Sequence, residues 1–192
     1  DEIAHIPLMI YHPDFASEGG SRRKALTQTT DLMPTLLDVA GLAIPPDVTG
    51  HSLMPVLGGE DGKRDSVIFG YFGAAVNVFD GRYSYFRYPA VSEAESLHEY
   101  TLMPTRMTTR FSIRDLLGAT LHPSFSFTKG VPVLKLGPKT DDEGQPVEVQ
   151  GMGFEDWQSA LYDLETDPGQ TTPLNNTEIE THLCQQIIAN MA

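Results

Sequence analysis

The sequence TDLMPTLLDVAGL, residues 30–42, holds the clearest helical pattern of the chain. Thr30 can cap a helix, Asp31 and Pro34 suit its first turn, and Gly41 can end it. Because apolar residues recur along it at helical spacing, we expect the helix to pack against a core. The apolar stripe consists of Leu32, Met33, Leu36, Leu37 and Val39.

An apolar run precedes this helix at residues 3–11. Such a short, nearly continuous run is typical of a strand covered on both faces, and Pro7 favours an edge or a strand start. After the helix, two prolines at residues 44–47 and the glycines of residues 50–59 allow only a brief turn of helix. We therefore predict a strand, a helix and an ordered connection.

Strand-like composition follows the connection in three short runs rich in β-branched and aromatic residues. Asp80 and Gly81 separate the last two, and glycine accepts the positive φ that a tight hairpin turn requires. The pattern predicts an antiparallel meander. The three runs are residues 67–72, 75–79 and 82–88.

The end of the chain predicts a further strand at residues 161–164 and an amphipathic helix. Thr177 and Glu180 form a capping box at the start of that helix. The order of elements predicts an α/β fold, in which the end of an α/β core at residues 1–64 precedes a smaller antiparallel sheet packed with the C-terminal helix. This second part, residues 65–192, contains an insertion at about residues 89–160, with short helices expected at residues 92–98 and 113–117.

Composition excludes several classes of partner. Of 192 residues, 40% are hydrophobic and 20% charged, as in ordinary soluble globular proteins. The net charge of −13 repels nucleic acids and anionic membranes, so we expect neither as a partner. The single cysteine excludes an internal disulfide, and neither a signal peptide nor a compartment is indicated.

Five motifs, in the same order along the chain, resemble the sulfatase family. Ser84 departs from the lysine usual in the fourth motif, and Gln170 from the acidic residue usual in the fifth. The motifs are HIPL at 5–8 for [HR]-[IV]-P-L, residues 31–41 for D-x-x-P-T-L-L-D-x-A-G, GHSLMPVL at 50–57 for G-x-S-L-x-P-x-L, DGRY at 80–83 for D-G-R-[YW], and LYDLETDPGQ at 161–170 for L-Y-D-L-x-x-D-P-x-E.

The resemblance implies an alkaline-phosphatase-like fold that hydrolyses sulfate esters. It further implies a formylglycine nucleophile, made within C/S-x-P-x-R, and a calcium ion or similar divalent cation that neutralises the sulfate oxygens. The chain contains no such motif, since Gln185 and Gln186 follow Cys184. We therefore expect a C-terminal part of a sulfatase that is inactive alone and has no catalytic residue or metal ligand. Its expected partners are the missing N-terminal catalytic part and a sulfated small molecule or carbohydrate.

Candidate substrate-binding residues lie within the insertion, at His98, Tyr100 and Arg106. In the family that the chain resembles, such segments often overhang the pocket and select the organic part of the substrate. An arginine fork matches the oxygens of a sulfate group. For each residue, an ordinary place on a polar surface loop is the alternative.

Other groups that could carry chemistry favour structural roles. His5, His12 and Asp14 could supply metal ligands, but His5 and His12 are seven residues apart along an extended segment, so sharing a metal requires a sharp bend. The acidic turn at residues 141–143 favours simple solvation, and Cys184 falls on the apolar face of the terminal helix, as an inert thiol would.

Two alternatives to a sulfatase part remain open. The first is part of a phosphate or phosphonate monoester hydrolase of the same superfamily, because the nucleophile that distinguishes the two lies outside the sequence. The second is a non-catalytic binding or structural domain. An apolar strand at residues 3–11 disfavours a free-standing domain, since an unpaired edge promotes aggregation.

Overall fold

The computed structural model describes residues 4–70, 75–88, 98–103, 105, 109–137 and 158–191, and it divides the chain into two compact units. The first unit comprises Asp1–Tyr71, Ala75–Arg87 and Ser159–Ala192, and the second comprises Phe72–Ala74 and Tyr88–Gln158. The domain boundary expected between residues 64 and 65 stays a prediction. The acidic turn at residues 141–143 and residues 92–97 of the expected helix lie outside the described residues.

The helices and strands are named here in chain order. They are α1 (Leu32–Val39), α2 (Met54–Leu57), β1 (Val67–Gly70), β2 (Val76–Phe79), β3 (Tyr83–Arg87), β4 (Glu99–Thr101), α3 (Ile113–Leu117), β5 (Thr120–His122), β6 (Val133–Leu136), β7 (Ala160–Asp163) and α4 (Thr177–Met191). Within the described parts of the chain, no helix is long and apolar enough to cross a membrane.

A four-stranded antiparallel sheet organises the first unit, in the order β1-β2-β3-β7. This confirms the predicted meander, its hairpin, where Gly81 has φ +101°, and the additional strand. Helix α4 packs on one face of the sheet, so the predicted antiparallel sheet with a C-terminal helix is also confirmed. The buried core consists of Val78, Tyr85, Leu161, Leu183 and Ile187.

Helix α1 begins differently from the prediction. A 3₁₀ turn at Thr29–Asp31 precedes it, and Gln28 and Asp31 form a reciprocal capping box, so Thr30 is not the cap. Its end is as predicted, because Gly41 adopts φ +66° and Leu42 donates a hydrogen bond to the carbonyl oxygen of Leu37. Helix α4 also differs, since Asn176 rather than Thr177 accepts a hydrogen bond from a first-turn N–H group.

The apolar stripe of α1 is exposed, contrary to the expected packing against a core. The buried residues of this helix are Pro34 and Thr35, which turn toward the segment around α2. The stripe faces away from that contact, and Leu36 is 70% exposed. Its other exposed members are Leu32, Met33 and Val39.

The predicted N-terminal strand is absent from the described residues 4–11. A strand requires a neighbour to complete its hydrogen bonds, and none of the strands in the described ranges pairs with this segment. The segment is largely open, with Met9 90% and Tyr11 81% exposed.

A three-stranded antiparallel sheet forms the second unit, in the order β4-β6-β5. The expected helix at residues 113–117 is present as α3, which begins with a capping box between Ser112 and Asp115. Val133 and Leu136 of the central strand are buried. Together the two units make a mixed α/β chain with two antiparallel sheets.

Candidate functional site

The buried carboxylate of Asp31 is the centre of a polar network in the first unit. It is 1% exposed and accepts hydrogen bonds from the backbone N–H groups of Gln28 and His51, both at 2.8 Å. Arg64 adds a two-pronged contact, with Nη2 at 2.5 Å from Oδ1 and Nε at 3.1 Å from Oδ2. All these donors stabilise the charged form of the carboxylate.

These contacts lower the pKa of Asp31 in spite of its position. Burial alone raises the pKa, but the hydrogen bonds from Arg64, His51 and Gln28 outweigh that effect. The carboxylate is therefore ionised at neutral pH and held by the chain itself.

Two further residues of the sulfatase-like motifs join α1 to the segment at residues 50–57. The hydroxyl of Thr35 donates to the carbonyl oxygen of Asp31 at 2.6 Å and accepts from the N–H of Leu53 at 2.9 Å. Gly50 lies so close to Thr30 that an added Cβ atom would be 2.0 Å from the carbonyl oxygen. These motif positions therefore have structural explanations.

A second arginine–aspartate pair joins the other two motifs, DGRY and LYDL. Arg82 contacts Asp163 through Nη2 at 2.7 Å and Nε at 3.2 Å. The hydrogen bond from Arg82 lowers the pKa of Asp163. Asp80 shapes the hairpin before it, accepting hydrogen bonds from the N–H groups of Arg82 and Tyr83. The pair ties the start of β3 to the end of β7.

The groups considered for metal binding do not assemble a site in the described part of the chain. His12 Nδ1 and Asp14 Oδ2 are 3.8 Å apart, whereas His5 is exposed and joins no group of metal-binding side chains among the described residues. The described ranges contain no group of three or more His, Cys, Asp or Glu side chains that could hold a metal ion. The divalent cation implied by the resemblance therefore has no fitting site among them. Cys184 is half-buried and packs against the core.

Two of the three candidate substrate-binding residues come together in the second unit. The rings of His98 and Tyr100 lie with their centroids 6.4 Å apart at the start of β4. Tyr100 is 42% exposed. Arg106, the third candidate, lies outside the described residues.

The structure adds aromatic neighbours that sequence reasoning did not connect to Tyr100. We call Tyr100, His122, Phe125 and Phe127 the aromatic surface. Tyr100 meets His122 and Phe125 edge-on, with centroids 5.1 and 5.3 Å apart. The Nζ atom of Lys135 lies 5.9 Å from the Tyr100 ring centroid. In the sequence, only the close spacing of Phe125 and Phe127 indicated an aromatic cluster. Their contact with Tyr100 depends on how β4 and β5 pair with β6, which the sequence does not show.

Comparisons with known proteins place the first motifs in a family. A family model described as "N-sulphoglucosamine sulphohydrolase, C-terminal" matches residues 1–107. Arylsulfatase K of Xenopus laevis is 38% identical over 63 residues, which are 33% of this chain and 11% of that protein. The Delta 4,5-hexuronate-2-O-sulfatase of Bacteroides thetaiotaomicron is 33% identical over 108 residues, 56% of this chain and 18% of that protein.

A solved structure described as a 2-O GAG sulfatase resembles 84% of the chain and 23% of its own, with a TM-score of 0.39 and 20% identity. The chain thus spans a small part of the relatives that it matches. The family model, in contrast, covers more than half of this chain. On that match, the chain belongs to the N-sulphoglucosamine sulphohydrolase C-terminal family of sulfatase domains.

Proposed function

We propose that the chain is the C-terminal part of an enzyme that hydrolyses sulfate monoesters. The observation that carries the proposal is the family match over residues 1–107, which includes the Asp31 network and the hairpin. In this proposal the nucleophile and the divalent cation belong to an N-terminal catalytic part. The described residues contribute structure and the walls of the substrate pocket.

We further propose that the N-terminal catalytic part covers the apolar stripe of α1. The stripe has the periodicity of a buried helix face, yet Leu36 is 70% exposed. Segment 6–11 of the same unit is also apolar and open, with Met9 90% exposed. Exposed apolar patches mark interaction sites. The matched relatives are much longer than their matched regions, which supports this choice of partner.

The proposed substrate is a sulfated small molecule or carbohydrate. One relative is named Delta 4,5-hexuronate-2-O-sulfatase, which supports a sugar as the organic part. His98, Tyr100 and Arg106 are proposed as contacts to that part. The rings of His98 and Tyr100 lie beside each other. Tyr100 is an exposed residue of β4, and His98 is a half-buried residue just before this strand.

Hydrolysis of p-nitrophenyl sulfate and p-nitrophenyl phosphate tests the activity. The 192-residue chain and a protein that also contains the upstream sequence are assayed with and without calcium. We expect calcium-dependent cleavage of the sulfate by the longer protein alone. A strong preference for the phosphate favours the phosphate hydrolase alternative. Turnover by the 192-residue chain contradicts the proposed division of labour, and inactivity of both proteins on sulfated and phosphorylated substrates favours a non-catalytic domain.

The substitution Leu36→Glu tests the proposed cover of α1. Because Leu36 is exposed, we expect little change in the thermal stability of the 192-residue chain. In the longer protein the charge is buried without a partner, so we expect a marked fall in melting temperature. Leu117→Glu is the matched control, since Leu117 is 81% exposed on another helix. Equal effects of the two substitutions in the longer protein contradict the proposed cover.

A further inference from the structure

The aromatic surface of the second unit is a continuous set of packed rings. Phe127 stacks on Phe125 with centroids 5.3 Å apart and planes 10° from parallel. Phe125 in turn stacks on His122 at 5.1 Å and 26°. Tyr100 closes the set edge-on, at 74° to His122 and 80° to Phe125. These geometries are the offset-stacked and T-shaped arrangements that aromatic rings prefer.

The strand register explains why a cation lies beside these rings. Tyr100 of β4 and Thr120 of β5 both pair with Lys135 of the central strand β6. Because side chains alternate between the faces of a sheet, His122 lies on the same face as Thr120. Tyr100, His122 and Lys135 therefore share one face. No carboxylate in the described part of the chain forms an ion pair with the Lys135 amine.

The outermost ring is open to solvent. Phe127 is 73% exposed, and one of its faces lies against Phe125, so the opposite face is available to a ligand. Tyr100 is 42% exposed. His122 and Phe125 are half-buried, and both contact the Tyr100 ring. The half-buried rings hold the exposed ones in place, which lowers the entropy lost on binding.

We propose that the aromatic surface binds a pyranose ring of an anionic saccharide. A pyranose presents an apolar face of C–H groups that can stack on the Phe127 ring. The contact is favoured because water is released from the sugar face and from the ring face. The Lys135 amine lies 5.9 Å from the Tyr100 ring centroid and meets an acidic group of the same saccharide. This inference deepens the proposed function, on which it rests for its substrate class.

Charge favours this occupant over an apolar protein partner. The chain carries a net charge of −13, so an anionic ligand is repelled by most of the surface. A lysine beside exposed rings creates a local exception, and an apolar partner surface would gain nothing from burying that amine. An anionic saccharide offers an apolar sugar face to the rings and an acidic group to the amine. A second copy of the chain, seated on the same rings, is the competing occupant.

Titration calorimetry of the 192-residue chain and of the longer protein tests the proposal without requiring turnover. The probes are N-acetylglucosamine-6-sulfate, unsulfated N-acetylglucosamine and inorganic sulfate. We expect Phe127→Ala to weaken the binding of both sugars by about tenfold, the size of one lost stacking contact. Because Phe127 is exposed, this variant should keep the circular dichroism spectrum of the wild type.

Two further variants separate stacking from charge and from general apolar exposure. Lys135→Gln should remove the preference for the sulfated sugar and keep the affinity for the unsulfated sugar. Leu121→Ala is the matched control, because Leu121 is 77% exposed on β5 and alternates to the sheet face opposite His122. We expect it to leave both affinities within about twofold of the wild type.

Three outcomes overturn the inference: sugar binding unchanged in Phe127→Ala, sugar binding lost equally in Leu121→Ala, or inorganic sulfate bound as tightly as the sulfated sugar. A dimer that Phe127→Ala makes monomeric, without sugar binding, assigns the surface to a second copy. The proposed function fails separately. Intact sugar binding with no sulfate hydrolysis by the longer protein refutes the activity alone, and the reverse result refutes the aromatic surface alone.

Discussion

Two arginine–aspartate pairs in the first unit use the same two-pronged geometry at very different depths. In the Asp31–Arg64 pair the aspartate and arginine side chains are 1% and 10% exposed, and in the Asp163–Arg82 pair they are 8% and 49% exposed. The difference lies mainly in the arginines. If its aspartate is removed, the buried Arg64 guanidinium cannot replace the lost hydrogen bonds with bonds to water, whereas the half-exposed Arg82 guanidinium can. Similar contact distances therefore do not imply similar contributions to stability.

The two pairs also differ in how tightly the nearby backbone packs. Beside Asp31, a Cβ atom on Gly50 would be 2.0 Å from the carbonyl oxygen of Thr30. Beside Arg82, a Cβ atom on Gly81 would have no atom within 4 Å. The first glycine is required by close approach, and the second by its φ of +101°.

The largest expected effect is that of Asp31→Ala. Removing the carboxylate leaves the Arg64 guanidinium buried without its partner, so we expect the free energy of unfolding to fall by about 3 to 5 kcal/mol. Urea denaturation measures the change. Asp14→Ala is the control, because that carboxylate is 78% exposed and should contribute little. Equal losses of unfolding free energy in the two variants would contradict the expected stabilising role of the buried Asp31 carboxylate.

A double substitution sharpens the same point. In Asp31→Leu with Arg64→Met both charges are removed together, so no buried charge is left without a partner. We expect this variant to be more stable than Asp31→Ala, as measured by urea denaturation. A double variant as unstable as the single one attributes the loss to the backbone N–H groups of Gln28 and His51 instead.

Gly50→Ala and Gly81→Ala compare close packing with backbone conformation. We expect the first to cost about 1 to 3 kcal/mol, because the backbone around Thr30 must shift. The second should cost about 1 kcal/mol, the strain of a positive φ with a Cβ atom. Thermal unfolding of both variants checks the order. A larger loss of stability in Gly81→Ala than in Gly50→Ala would show that the backbone around Gly50 can move to accommodate the added Cβ atom.

Acidification should act through the same carboxylate. The pKa of Asp31 is lowered in the folded chain, so its contribution is complete above the unfolded-state pKa and is lost as pH falls through the folded-state pKa. We therefore expect Asp31→Asn to lose less stability than the wild type between about pH 7 and pH 3. Melting temperatures across this range measure the difference. Parallel pH profiles of the two proteins would show that folding does not lower the pKa of Asp31.

The smallest expected effect is that of Asp163→Ala. The Arg82 guanidinium that then loses its partner is half exposed and can bind water instead, so we expect a smaller fall in melting temperature than for Asp31→Ala. Raising sodium chloride to about 0.5 M should narrow the difference from the wild type, since salt screens exposed charges. A fall in melting temperature that is independent of salt and as large as that of Asp31→Ala would show that the two ion pairs contribute equally to stability.

Sequence patterns predicted the elements that depend on neighbours within a few residues. The Asp80–Gly81 turn and the boundaries of α3 have local causes in turn and capping chemistry. The partner of Asp31 could not be predicted in this way, because Arg64 is 33 residues away and no local pattern joins the two. The aromatic surface likewise depends on the pairing of Tyr100 with Lys135 across two strands.

The wrong predictions concern surfaces that require a neighbour. Residues 3–11 and the stripe of α1 both have the composition of buried elements, and the described residues among them are largely exposed. Composition reports whether a segment is suited to burial, but it does not identify the element that covers it. For the same reason, the sequence predicted His98 and Tyr100 as binding residues without placing Phe125 and Phe127 beside them.

The position of α4 in the core has a consequence for synthesis on the ribosome. Val78 and Tyr85 are covered by Leu183 and Ile187, which are translated about a hundred residues later at a cost of several seconds. During that interval the hairpin of β2 and β3 has left the ribosome without the helix that buries it. The nascent chain then exposes an apolar sheet face, which makes it prone to aggregation until α4 emerges.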